Sequence, residues 1–249
     1  MNSREPYLIV ATGTKGVGKT FTTLKEMENY IKNQKKKVVV FDTNYPYETS
    51  YSPFKSVAIW DLPKLKKAEI RRILPINRDG SPMNVQDKEN ALNEILNNFS
   101  DGLLVLEDIN SYLIAPKSVD VINALTTNRH RKMDIMLHYQ SLSVLFPRIW
   151  QNMAAVRFHY QMDDVNRYKS RIPNFELMKL AQIIVNYEYE QQNNKRFFIY
   201  VNFYDSRILG ATKKQINRAA QELYRRYRNL RNGLAEREFI SSVFTKYSN

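Results

Sequence analysis

Short unbroken apolar runs alternate with stretches whose apolar positions recur at helical spacing, a pattern that predicts an α/β fold with a mainly parallel sheet. The first run, residues 7–12, suits a buried parallel strand. Leu24, Met27 and Ile31 then recur at intervals of three and four, which predicts a helix over about residues 20–33 with one buried face. A second strand is expected at 38–41, a short strand at 56–60, and basic helices over 62–74, where Lys64, Lys66, Lys67, Arg71 and Arg72 form a charge run. Asn77, Gly80 and Pro82 mark a loop, and a helix over 85–99 leads into the apolar run 102–106. Residues 133–139 form another buried-looking strand, followed by a helix carrying Leu142, Leu145 and Ile149 and a strand at 156–158. Two runs, 183–190 and 196–204, flank the polar tip 191–195 and read as a β-hairpin that extends the sheet. Residues 212–231 read as one long basic helix. The expected organisation is a domain over 1–205, hairpin included, with a basic helical C-terminal region over 206–249.

Composition narrows the chemistry. No apolar run approaches the ~18 residues of a membrane span, and the N-terminus lacks the charged-then-apolar layout of a secretory signal, so a soluble, cytoplasmic protein without a membrane partner is expected. Zero cysteines exclude disulfides, thiolate-bound zinc and thiol catalysis. The chain has 38 basic and 25 acidic residues, a net charge of +13, which favours a polyanionic partner. Residues 211–249 hold nine basic and three acidic residues, a net +6, and are the first candidate for contacting a DNA backbone, a capsid portal or a structural RNA.

The most specific signal directly follows the first strand. Gly13, Thr14, Lys15, Gly16, Val17, Gly18, Lys19 and Thr20 match G-x-x-x-x-G-K-[ST], in the strand–loop–helix context that this motif requires. A triphosphate needs backbone N–H groups wrapped round its oxygens, in conformations open mainly to glycine, and the following helix adds its positive dipole end. Lys19 supplies charge to the β- and γ-phosphates of ATP, and the Thr20 hydroxyl is placed to ligate Mg²⁺. Partition ATPases carry an extra lysine five places before the loop lysine. Here Lys15 precedes Lys19 by four, so that reading is set aside.

The run 102–106 ends in Glu107 and Asp108, at the strand edge where open α/β sheets hold ligands. One carboxylate can hold Mg²⁺ and the other can polarise an attacking water. Position suggests Glu107 for the metal and Asp108 for the water, with the roles open to exchange. Gln140, just past the strand 133–139, could contact the γ-phosphate or the lytic water. Arg129 and Arg131, in a basic cluster upstream of that strand, could enter a neighbouring subunit's site as arginine fingers.

This order of motifs resembles the FtsK-HerA superfamily of ATP-driven DNA pumps. The resemblance covers roughly residues 7–160 and rests on the phosphate loop, on Val38 to Asp42 followed by Asn44, on Leu103 to Asp108, and on Arg129 to Ile135 leading to Gln140. The last stretch, with residues 149–152 and 156–158, is similar to Zot-like phage assembly ATPases and to viral, including bacteriophage, DNA-packaging ATPases. It implies a RecA-like (ASCE-type) P-loop fold and a homo-oligomeric ring passing double-stranded DNA, with Arg129 or Arg131 acting in trans and Gln140 sensing γ-phosphate. The acidic pair is inverted relative to the family's usual Asp-Glu order, and the membrane helix of Zot-like proteins is missing. The latter favours packaging a genome into a preformed capsid. The alternatives are a plasmid-transfer or filamentous-phage assembly ATPase and, in other classes, a small-molecule kinase or a nucleotide switch. The guanine-reading Asn-Lys-x-Asp motif is absent, since Asn194-Lys195 is followed by Arg196-Phe197.

Overall fold

The computed structural model describes residues 5–113 and 119–248, without the side chains of residues 119, 120, 128 and 129. The elements run β1 (Leu8–Thr12), α1 (Lys19–Gln34), β2 (Lys37–Phe41), β3 (Ile70–Ile73), α2 (Val85–Asn98), β4 (Gly102–Leu106), α3 (Val119–Thr126), β5 (Met133–Tyr139), α4 (Pro147–Asn152), β6 (Ala155–His159), α5 (Phe175–Glu190), β7 (Phe198–Asn202), β8 (Arg207–Leu209), α6 (Lys213–Arg226) and α7 (Glu236–Tyr247). The strands form one eight-stranded sheet in the order β3-β2-β4-β5-β1-β6-β7-β8. Contacts divide the chain into two compact units, one of residues 1–10 and 19–139, the other of 11–18 and 140–249.

In the first unit β2 pairs in parallel with β3 and with β4, and β4 with β5. β4 and β5 are buried at every position, which explains their continuous apolar runs: with both faces covered, no polar alternation is possible. Gly102 is required where β4 begins, because a Cβ there would lie 2.5 Å from the Lys37 carbonyl oxygen. α2 is started by a capping box between Asn84 and Asp87, and buries Ala91, Leu92, Ile95 and Leu96. Asp134, a carboxylate within buried β5, accepts from the backbone N–H of Tyr7 at 2.7 Å and from the Tyr30 hydroxyl at 2.9 Å. Those two donors compensate its desolvation.

In the second unit β6, β7 and β8 form an antiparallel meander. α5 is capped by Asn174, whose side chain accepts from Leu177 N, and α6 by Thr212 in a capping box with Gln215. The face Ile216, Ala219, Ala220 and Leu223 of α6 is buried, as are Phe239, Val243 and Tyr247 of α7.

Several expected elements are corrected. Residues 183–190 are the last half of α5, so the C-terminal hairpin is β7–β8, with arms at 198–202 and 207–209. Ile183, Ile184 and Val185 favour strand locally, but the buried set Leu177, Leu180, Ala181 and Ile184 continues a helix already capped at Asn174. The basic helices expected over 62–74 are a 3₁₀ turn, Ile59–Lys64, and the edge strand β3. Ser56 makes only an isolated bridge to Arg72. The helix expected after Gln140 is a 3₁₀ turn at Leu142–Val144 followed by α4. The single helix expected over 212–231 is α6 followed by a short 3₁₀ turn at Arg228–Leu230, and a separate helix, α7, lies beyond it. Among the described residues no helix is long and apolar enough to cross a membrane.

Candidate functional site

In the first unit, strand register builds an acidic cluster. Phe41 is in register with Leu106, and Leu106 with Leu137, so the next residues stand side by side: Asp42 and Glu107 just past the ends of β2 and β4, and His138 as the last residue but one of β5. Side chains at matched positions of parallel neighbours point to the same face. Nδ1 of His138 accordingly lies 2.9 Å from Oε2 of Glu107, and the Tyr51 hydroxyl donates a short hydrogen bond to Oε1. Nε2 of His138 is 2.8 Å from the Thr23 hydroxyl on α1, and that hydroxyl also lies 3.0 Å from the Lys19 carbonyl oxygen. The Thr43 hydroxyl donates to the Glu107 backbone carbonyl at 2.9 Å.

Burial acts to raise the pKa of Glu107. Its pairing and hydrogen bond with His138, the Tyr51 hydroxyl and the Lys19 ammonium act the other way, and the outcome is a carboxyl held below the ordinary value. Glu107 is thus kept ionised although only 4% exposed. Asp42 shows the opposite balance. Burial raises it to about 6, against the Arg72 guanidinium 3.4 Å away, and its Oδ1 is buried without a hydrogen-bond partner.

Asp108 occupies the left-handed region (φ 44, ψ 44) at the turn that leaves β4, and is half-buried. Aspartate tolerates this conformation better than most residues, and such outliers cluster at working sites. Lys19 and Thr20 open α1 and are half-buried, with Lys19 close enough to Glu107 to act on its charge. The sequence-predicted Lys19 and Glu107 are therefore brought together. Thr20 and Glu107 offer the hydroxyl and carboxylate oxygens that suit Mg²⁺, and because both Glu107 oxygens already have protein partners, the set fits an ion held partly through water. Among the described residues no group of three or more His, Cys, Asp or Glu could hold a metal by itself, and a nucleotide-borne Mg²⁺ does not need one.

The loop before Lys19 lies in the second unit. Gly13, Gly16 and Gly18 have φ of 151, 85 and 89, values that L side chains rarely adopt. A Cβ on Gly13 would also lie 2.7 Å from Cβ of His159. Thr14 donates its backbone N–H to the Tyr160 carbonyl at 2.9 Å, Val17 is buried, and Lys15 and Gly16 are exposed. Gln140 is exposed just past β5, and the turn after it is fixed by Gln161, whose Oε1 accepts from Leu142 N at 3.1 Å and from the Thr12 hydroxyl at 3.0 Å.

The basic candidates divide. Arg131 donates to the Asn97 carbonyl at 2.8 Å and to its side-chain oxygen at 3.1 Å, so its guanidinium closes the C-terminal end of α2. The Arg129 side chain lies outside the described residues. In the C-terminal region Arg218 pairs with Glu188, Arg225 with Glu236 and Arg226 with Glu222, while Arg231 donates to the Tyr224 carbonyl. Much of that positive charge is therefore held by internal partners.

Sequence reasoning missed Tyr51, Thr23 and His138. His138 alone carried a signal, as the polar residue aligned one step past the apolar stretch of β5 just as Glu107 follows that of β4.

Comparison with known proteins yields matches in structure alone: no family model and no curated protein matches the sequence. The genome packaging NTPase B204 from Sulfolobus turreted icosahedral virus 2, in complex with ATP-gammaS, superposes with a TM-score of 0.57 at 15% identity, over 83% of this chain and 96% of that one. B204 from Sulfolobus turreted icosahedral virus, a DNA-packaging ATPase, gives a TM-score of 0.55 at 15% identity, over 82% and 97%. The fold is that of the RecA-like P-loop NTPases. The N-terminal domain of zonular occludens toxin from Neisseria meningitidis matches with a TM-score of only 0.40 at 16% identity, over 67% and 91%, too distant to add to this.

Proposed function

We propose that this protein binds Mg-ATP at Gly13 to Thr20, hydrolyses it, and uses the energy to move double-stranded DNA, packaging a viral genome into a preformed capsid. The observation that carries the reading is Glu107, held by His138 and Tyr51 just past the end of a central strand, in a chain whose loop has the phosphate-binding motif. The likeness of the fold to B204 supports the packaging role, and the net charge of +13 suits a polyanionic cargo.

In this reading the backbone N–H groups of the loop and the Lys19 ammonium hold the phosphate tail, so that positioning and charge neutralisation supply most of the rate. Bound Mg²⁺ would neutralise charge on the β- and γ-phosphate oxygens. Thr20 and Glu107 are the residues that would hold it, Glu107 through water. Asp108, the more exposed acid, orients the attacking water and takes its proton, and Gln140 contacts the γ-phosphate. Subunits assemble into a ring in the host cytoplasm and dock on a capsid portal or structural RNA. An arginine of the 129–131 cluster enters the neighbouring site, and Arg129 is favoured because Arg131 is committed to Asn97.

The test is the ATPase rate with and without duplex DNA across a salt series. Stimulation by DNA that fades as salt rises is expected. A rate indifferent to DNA, or phosphate transferred to a small acceptor, refutes the motor.

A further inference from the structure

The phosphate loop is flanked by a residue that its motif does not include. A methyl group placed on Gly18 would sit 3.4 Å from Cγ of Arg196 and 3.7 Å from both its Cβ and Cδ, so the aliphatic stem of Arg196 runs along the backbone of the last loop glycine. Arg196 is exposed and belongs to the tight connection between α5 and β7.

That connection is fixed. Asn193 is left-handed, Asn194 N donates to the Glu188 carbonyl at 2.9 Å, and Phe197 N donates to the Asn194 carbonyl at 3.1 Å. Lys195 is committed to Tyr189, with its ammonium 4.0 Å from the ring centre and bonded to the Tyr189 carbonyl at 3.0 Å. The same elements touch the start of the loop. Tyr189 stacks on Tyr160 with ring centres 3.8 Å apart, and the Tyr160 carbonyl holds Thr14 N. His159, against which Gly13 packs, stacks on Phe198 at 5.0 Å. Both ends of the loop therefore rest on the segment that presents Arg196.

We infer that Arg196 is a second cationic ligand of the nucleotide, acting within the same chain on the α- and β-phosphates. This inference rests on the proposed nucleotide site. The placement beside Gly18 decides which phosphates are meant: the backbone of this loop cradles the α- and β-phosphates, whereas the motif lysine serves the β and γ. A guanidinium suits the task because its planar fork can bond two phosphate oxygens at once, which an ammonium cannot. Arg196 is a binding residue in this account, and Lys19 keeps its own role.

The test measures the affinity of the full chain for ATP, ADP and AMP in the wild type, Arg196→Ala, Arg196→Lys and Lys19→Ala, by calorimetry. Arg196→Ala should weaken ATP and ADP by a similar factor, about tenfold or more, as expected for loss of a charge-assisted hydrogen bond to phosphate. Arg196→Lys should recover only part of that loss. Melting temperatures of the variants, measured alongside, separate a loss of binding from a loss of fold. Wild-type ADP affinity in Arg196→Ala, with ATP binding lost in Lys19→Ala, overturns the inference and leaves the site standing. A loss confined to ATP also overturns it, since that would place the guanidinium at the γ-phosphate. No nucleotide binding by the wild type overturns both the site and the inference.

Discussion

Nδ1 of His138 lies 2.9 Å from Oε2 of Glu107, and neither side chain is more than about 5% exposed. The other ring nitrogen reaches Thr23 on α1, the helix that opens with the phosphate-binding lysine. One imidazole thus connects the acid at the end of β4 to the helix that follows the loop. Removing one partner of a buried pair leaves an uncompensated charge, which costs about 3 kcal/mol or more. His138→Ala is expected to lower stability by about that amount, measured by urea unfolding, and to reduce ATP turnover at temperatures where it remains folded. Unchanged stability would show that the pair is dispensable.

The two acids should separate in kinetics. Asp108→Asn keeps a residue that tolerates the left-handed turn, so the fold and ATP affinity should persist while turnover falls about 100-fold or more. Glu107→Gln loses the ionised oxygen, and its activity should demand far more Mg²⁺. If instead Glu107→Gln retains wild-type Mg²⁺ dependence while Asp108→Asn acquires the altered one, the roles are exchanged.

Asp42 predicts a pH effect. Its folded pKa of about 6 lies above the ordinary 3.8, so the folded state binds the extra proton between those values. The stabilising contribution is fully present below about pH 3.8 and is lost as pH rises through about 6. Asp42→Asn should therefore gain stability relative to the wild type on going from pH 4 to pH 8, by on the order of 1 kcal/mol once screening and the Arg72 pair are allowed for. Thermal unfolding of both proteins at the two pH values measures it, and parallel curves would contradict the shift.

The arginine cluster gives a mixing test. Arg131→Ala should loosen the end of α2 and cost about 1 kcal/mol, with little effect on turnover. Arg129→Ala should be folded but inactive, and should regain part of its activity when mixed with Lys19→Ala subunits. No recovery in mixed assemblies would count against action in trans.

Much of the fold could be read from the sequence where the local signal and the tertiary environment agree. Buried parallel strands need continuous apolar runs, so β4 and β5 stand out, and the loop glycines sit at positions whose backbone conformation favours glycine. β3 did not stand out, because an edge strand can carry Arg71 and Arg72 on a surface where a helix would carry them equally well. α5 was hidden by its β-branched run, whose state is settled by burial against other elements. In the site, the loop and the acid pair are local motifs and were visible. Tyr51, Thr23, His138 and Arg196 take their meaning from strand register and close approach, which spacing along the chain does not encode.

The central claim is tested most directly by titrating purified protein with Mg-ATP, wild type beside Lys19→Ala. Saturable binding by the wild type, weakened about 100-fold or more in the variant at unchanged melting temperature, is the predicted result. Equal affinity in the two proteins, or no binding by either, would contradict a nucleotide site at Gly13 to Thr20.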